Sequence, residues 1–92
     1  MSEFEWDDEK ARSNIRKHRV SFEEASTAFA DTMALTMFDE EHSVDEDRYV
    51  LLGESDRHRL LVVSYTGRED RIRIISARVA NRREKSQYGE GS

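Results

Sequence analysis

The spacing of apolar residues changes along this chain, and the changes mark its elements. Phe4 and Trp6 alternate around Glu5, which predicts a brief strand with both aromatics inward. Asp7 then precedes Asp8 and Glu9, a cap and an acidic first turn, so a helix is expected over residues 8–18. Its apolar stripe is thin: Ala11 and Ile15, with Asn14 and His18 beside them. Ser21 and Glu24 form a capping box, and Phe22, Ala25 and Phe29 recur at helical spacing, predicting a second helix over 22–30. Met33 to Phe38 alternates loosely as a strand. Further strands are expected over 48–53, 59–66 and 71–79, with turns at 55–58 and 67–70. Leu60 to Val63 is apolar on both faces, which points to a central strand. Asn81 and Glu84 repeat the capping spacing and open a short helix to about Tyr88. The predicted order, β-α-α-β-β-β-β-α, is an α+β fold: an antiparallel sheet of four to five strands with its helices on one face.

The last strand breaks its own pattern. Strict alternation puts Ile72, Ile74 and Ser76 on one face and Arg71, Arg73, Ile75 and Ala77 on the other. Arg78 then falls on the Ile72/Ile74 face, where an unpaired arginine is expensive to bury. The strand must end or bulge before Arg78, or Arg78 must sit at the rim.

Composition narrows the picture. Ninety-two residues predict a single domain, with Gly89–Ser92 as a frayed tail. Charged residues (38%) outnumber hydrophobic ones (36%), which suits a thin domain or one completed by a partner. Without cysteine there are no disulfides and no thiolate metal sites. The acidic N-terminus has no apolar run for a signal peptide, and no stretch approaches a membrane span, so a cytoplasmic protein without membrane attachment is expected.

Net charge is −5, yet the charges come in blocks. Residues 10–19 hold five Lys/Arg and no acid, 39–47 hold six acids and no Lys/Arg, and 71–88 hold six Lys/Arg and one acid. A fold could therefore present one basic and one acidic face.

These segments resemble the BrnT family. Phe4-Glu5-Trp6-Asp7, Lys10, Asn14, Lys17-His18, Val20 to Ala25, Phe29 and Asp31 are similar to its N-terminal half. Asp39, His42, Arg48-Tyr49, Gly53, Leu61 to Val63, Arg73 to Arg78, Arg82-Arg83-Glu84 and Tyr88 are similar to its C-terminal half. The resemblance implies a RelE-like fold and the toxin of a type II toxin–antitoxin pair, a metal-independent ribonuclease that stops translation and needs no cofactor. It also implies a BrnA-like antitoxin with a ribbon-helix-helix domain, through which the complex reaches operator DNA. Three positions depart from the family pattern: Arg19 for a glycine, Thr32 for a proline and Asn81 for a threonine. Glycine after Lys-His would permit a positive φ at the helix end, so Arg19 either strains that turn or alters the basic surface.

RNA cleavage without a metal needs a base for the 2′-hydroxyl, a cation for the phosphorane and an acid for the leaving 5′-oxygen. Arginine suits the second role, because it is always charged and grips phosphate with paired donors. Arg73 and Arg78 are the leading phosphate-handling candidates; the competing reading pairs them with neighbouring carboxylates. His18 and Lys17 are catalytic candidates beside them, against a plain role as cations at a helix C-terminus. Arg82, Arg83, Tyr65 and Trp6 are candidate RNA contacts, against solvation for the arginines and packing for the aromatics. His42 and His58 lack metal-ligand spacing and are assigned no chemistry. The rival function is a non-catalytic nucleic-acid or protein binding module on a toxin-like fold.

Overall fold

The structure, a computed structural model, describes residues 3–91. The chain runs β1 (Phe4–Glu5), α1 (Asp8–His18), α2 (Phe22–Thr27), a 3-10 turn (Ala28–Ala30), β2 (Leu35–Phe38), β3 (Arg48–Glu54), β4 (Leu60–Arg68), β5 (Arg71–Val79) and α3 (Arg82–Gly91). Both cap signals at the first two helices are used: Asp7 accepts from the Lys10 N–H, and Ser21 Oγ accepts from the Glu24 N–H. The second helix tightens to 3-10 geometry after Thr27, short of the full α-helix expected to 30. At the other end of the chain α3 continues past Tyr88 through Gly91; Ser92 of the expected tail lies outside the described residues.

The five strands form one sheet in the order β1-β5-β4-β3-β2. β2 to β5 are antiparallel neighbours, with β4 central as its two apolar faces require. β1 pairs with β5 in parallel, Phe4 beside Ile72 and Glu5 beside Arg73, so the sheet is mixed. A two-residue strand carries no pattern that declares its direction; the α1–α2 connection and the meander decide it.

Helices cover both faces, not one. On the first face, Val20, Phe22, Ala25 and Ala28 pack against Leu51, Leu61, Val63, Ile74 and Ala77. Each such buried side chain of leucine or phenylalanine size contributes on the order of 2 kcal/mol. An aromatic row crosses this face from β2 to β1: Phe38, Tyr49, Tyr65, Phe29 and Phe4, with centroids 5.0 to 5.6 Å apart. On the second face, Tyr88 of α3 packs with Leu52, Val62 and Ala80. Tyr88 also donates to Asp31 at 2.6 Å, and that bond pushes its phenol up to about 12. Burial alone would raise the Asp31 carboxyl, but the Glu54 and Met33 N–H groups and the Tyr88 hydroxyl hold it below the usual range.

The 3-10 turn lies directly on β3. A Cβ at Gly53 would stand 2.9 Å from the Ala28 carbonyl oxygen and 3.1 Å from the Ala34 Cβ. Both are anchored near the backbone, so Gly53→Ala is expected to destabilise by about 2 kcal/mol through overpacking. Urea denaturation checks this; an unshifted midpoint would mean that the turn moves aside freely.

Candidate functional site

The candidate site is the free outer edge of β5. Among the described residues β1 pairs only with Ile72 and Arg73, which leaves the edge from Ile74 onward without a strand neighbour there. α1 lies beside that edge, and Asn14 closes part of it. Its side-chain amide donates to the Ala77 carbonyl at 2.7 Å, accepts from the Ala77 N–H at 3.1 Å and donates to the Val20 carbonyl at 2.9 Å. This explains a reversal on α1. Asn14 is its buried residue, whereas Ile15, expected on the apolar stripe, is 44% exposed. A buried amide with three partners is satisfied and ties α1 to β5 in one register.

The break in alternation at Arg78 is a bulge. Ser64 pairs with Ser76 but Tyr65 pairs with Ile74, so Ile75 is the extra residue. Beyond it the faces exchange. Ala77 joins Ile74 in the core, and Arg78, opposite Val62, moves to the α3 face. Arg73, whose neighbour Ile74 is buried on the first face, also lies on the α3 face. The two arginines that strict alternation separated therefore share one side of the same edge strand.

Each has found a carboxylate. Arg73 Nη1 donates to Glu5 Oε2 at 3.0 Å, across the β1–β5 pair. Arg78 grips Glu84 with both terminal nitrogens, at 2.9 and 2.8 Å. Glu84 also accepts from the Asn81 N–H at 2.8 Å, while Asn81 Oδ1 accepts from the Glu84 N–H at 2.9 Å, completing the α3 capping box. The Arg78 bonds lower the Glu84 carboxyl below the usual range and raise the guanidinium above its own. Both arginines remain part-exposed, 31% for Arg73 and 42% for Arg78, so solvent reaches them.

On the other side of the β5 edge, Lys10, Ser13, Asn14, Lys17 and His18 of α1 form a groove of about 180 Å³ with Ile75 and Ser76. Lys17 and His18 are exposed there and enter no ion pair among the described residues. Next to them Arg19 adopts the left-handed conformation expected of a glycine, φ 59°. Strain of this kind costs on the order of 1 kcal/mol. The turn is held from outside: the Arg19 carbonyl accepts from Arg59 Nη2 at 3.1 Å.

The remaining candidates disperse. Arg82 and Arg83 are exposed in the first turn of α3, without an ion pair among the described residues. Trp6 is half-buried with its ring edge-on to Phe22, and Tyr65 sits between Phe29 and Tyr49 in the aromatic row. Burial raises the Tyr65 phenol. His42 hydrogen-bonds Asp39 in the β2–β3 loop, and His58 hydrogen-bonds Glu54 at the opposite end of β3. Among the described residues no group of three His, Asp or Glu is placed to hold a metal ion, and no helix is long and apolar enough to cross a membrane.

The sequence model of the ribonuclease toxin BrnT, of a type II toxin–antitoxin system, matches residues 6–84. The chain belongs to the BrnT family. A crystal structure of the Brucella abortus ribonuclease toxin BrnT superposes with a TM-score of 0.68 over 89% of this chain and 100% of that one, at 20% identity. No curated protein matches the chain. The α+β fold, with two N-terminal helices, a C-terminal helix and a five-stranded sheet, is thus that of a BrnT toxin. Family membership brings a ribonuclease toxin and an antitoxin as its partner.

Proposed function

We propose that this BrnT-family chain cleaves RNA at the β5 edge without a metal ion and so inhibits translation in the cytoplasm. The carrying observation is the bulge at Ile75, which sets Arg73 and Arg78 on one side of a free strand edge whose other side holds Lys17 and His18. A phosphodiester along that edge meets cations from both sides. In the reaction a base removes the 2′-hydroxyl proton, the 2′-oxygen attacks phosphorus, and the P–O5′ bond breaks as an acid protonates the leaving oxygen. The products are a 2′,3′-cyclic phosphate and a 5′-hydroxyl. Arg78 and Arg73 stabilise the phosphorane, and Lys17 holds the neighbouring phosphate. His18, exposed beside the edge with a ring that can both donate and accept a proton, is the proton-transfer group. Arg82 and Arg83 extend the cationic path along α3. The antitoxin in this reading is BrnA-like, carries a ribbon-helix-helix domain and brings the complex to operator DNA.

The test is incubation of the purified chain with RNA in excess chelator. Cleavage with cyclic-phosphate ends is expected to persist and to stop when the antitoxin is added. Loss of cleavage on chelation overturns metal independence, and intact RNA under all conditions overturns the enzyme in favour of a binding module.

A further inference from the structure

The opposite margin of the sheet carries a second edge of different chemistry. β2 is the last strand in the order and, among the described residues, pairs only with β3. The Asp39 N–H donates to the Arg48 carbonyl at 2.8 Å, toward β3. By the alternation of an antiparallel pair, the N–H and C=O groups of Thr36 and Phe38 therefore point outward. Around this open row the surface is apolar. Of the six exposed large hydrophobic residues among those described, four fall between residues 33 and 44: Met33, Met37, Phe38 and Val44, at 45, 44, 52 and 85% exposure. Met37 and Phe38 flank the edge on opposite faces, because side chains alternate. Directly beyond lies the loop of residues 39–47, with six acids and no Lys or Arg. His42 and Arg48 answer only part of it, through Asp39, Glu41 and Glu46; Glu40, Asp45 and Asp47 have no cation among the described residues.

We propose that the β2 edge is the anchor for an extended, basic segment of the cognate antitoxin, which adds as a sixth strand. This inference rests on the type II reading only for the identity of the partner. The outward backbone groups call for an extended chain, since a helix has no free donors along its side. Met37 and Phe38 call for apolar side chains on alternate positions. The acidic loop calls for Lys or Arg where the added strand passes it. Nucleic acid fails the last requirement, being itself an anion. A second copy fails it too, because it would bring the same acidic loop to an edge already flanked by acid. Three strand spacings, about 14 Å, separate β2 from β5. An anchor on β2 therefore leaves the β5 edge uncovered, and neutralisation requires a further antitoxin segment to reach it.

The experiment is amide hydrogen exchange, resolved by NMR, on the full chain alone and in complex with the antitoxin purified after co-expression. The Thr36 and Phe38 amides are expected to exchange freely in the chain alone and at least tenfold more slowly in the complex. Thr36→Pro removes one outward donor and none of the β2–β3 hydrogen bonds, as edge positions allow. It is expected to weaken the complex at least tenfold with the ribonuclease activity of the free chain unchanged. Unaltered exchange of the two amides in the complex, or failure of the antitoxin to bind, overturns the proposal. Protection that rises with concentration of the chain alone assigns the edge to a second copy, and protection by oligouridylate assigns it to RNA; either overturns it as well. Exchange on the unsubstituted chain decides the matter even where the proline variant fails to fold. An inactive chain that still shows the protection would sink the ribonuclease reading and leave this one standing.

Discussion

Arg59→Ala is expected to lower the stability of the folded chain by about 3 kcal/mol, the scale on which a buried ion pair responds to losing one partner. The partner is Glu24, whose side chain is 5% exposed. Arg59 Nε donates to Glu24 Oε2 at 2.9 Å, and Nη2 donates to Glu24 Oε1 and to the Arg19 carbonyl. Ser55 Oγ donates to Oε2 at 2.7 Å. One guanidinium thus fastens the start of α2 and the strained Arg19 turn to the β3–β4 connection. Its removal leaves a buried carboxylate with Ser55 alone. For a domain whose total stability is of order 5–15 kcal/mol, that is a large fraction. Urea denaturation measures it. The double variant E24M/R59M is expected to recover most of the loss, because it removes the stranded charge together with its partner.

The same pair fixes a pH dependence. The hydrogen bonds from Arg59 outweigh burial and, with Ser55, hold the Glu24 carboxyl below the usual carboxylate range. A folded-state value below the unfolded one, about 4.3, gives stability that is present above that pH. It is lost as pH falls through the folded value. In Arg59→Ala burial is opposed by the Ser55 bond but no longer by the Arg59 bonds, and protonation of Glu24 relieves the variant. The stability gap between the two proteins should therefore narrow below about pH 4. A gap constant from pH 7 to pH 3 would assign the effect to lost packing of the arginine stem.

Much of this frame was legible in the residues, for local reasons. Asp7 and Ser21 are caps whose bonds span three residues, and the two-faced Leu60–Val63 run has only one comfortable place, the middle of a covered sheet. What escaped depends on partners distant in sequence. Glu24 reads as half of a capping box beside Ser21, yet its carboxylate turns to Arg59, 35 residues on. Asn14 reads as a polar interruption between Ala11 and Ile15, and only the free edge of β5, 63 residues away, makes burying it favourable. The parallel pairing of β1 and the placement of α3 on the second face leave no periodicity behind. The site was half visible. Arg78 stood out because it broke the alternation, which was the correct signal of the bulge. That the bulge would bring Arg78 to the side of Arg73 follows from inserting one residue at Ile75, and alternation alone cannot locate that residue.

Arg78→Ala is expected to reduce RNA cleavage by roughly 10²- to 10³-fold, the range for removing one preorganised donor from a developing anion. The expected effect on stability is small, about 1 kcal/mol, because the guanidinium is 42% exposed and the pair it breaks is part-solvated. The difficulty is that Arg78 is already engaged by Glu84, so a loss of activity could reflect a displaced α3 instead of a missing phosphate contact. Glu84→Ala separates the two. If Arg78 serves chiefly to tether α3, removing either member breaks the same tether, and the two variants should lose activity equally. If Arg78 handles phosphate, Glu84 competes with the substrate for the same paired donors, and Glu84→Ala should leave cleavage intact while lowering KM. Arg78→Lys adds a third comparison: it keeps the charge but loses the fork that matches two phosphate oxygens, so it should fall between the unsubstituted chain and alanine. Single-turnover cleavage and melting temperature, measured on all three variants, give the result. Equal losses in Arg78→Ala and Glu84→Ala, in step with their melting temperatures, would return Arg78 to a purely structural role.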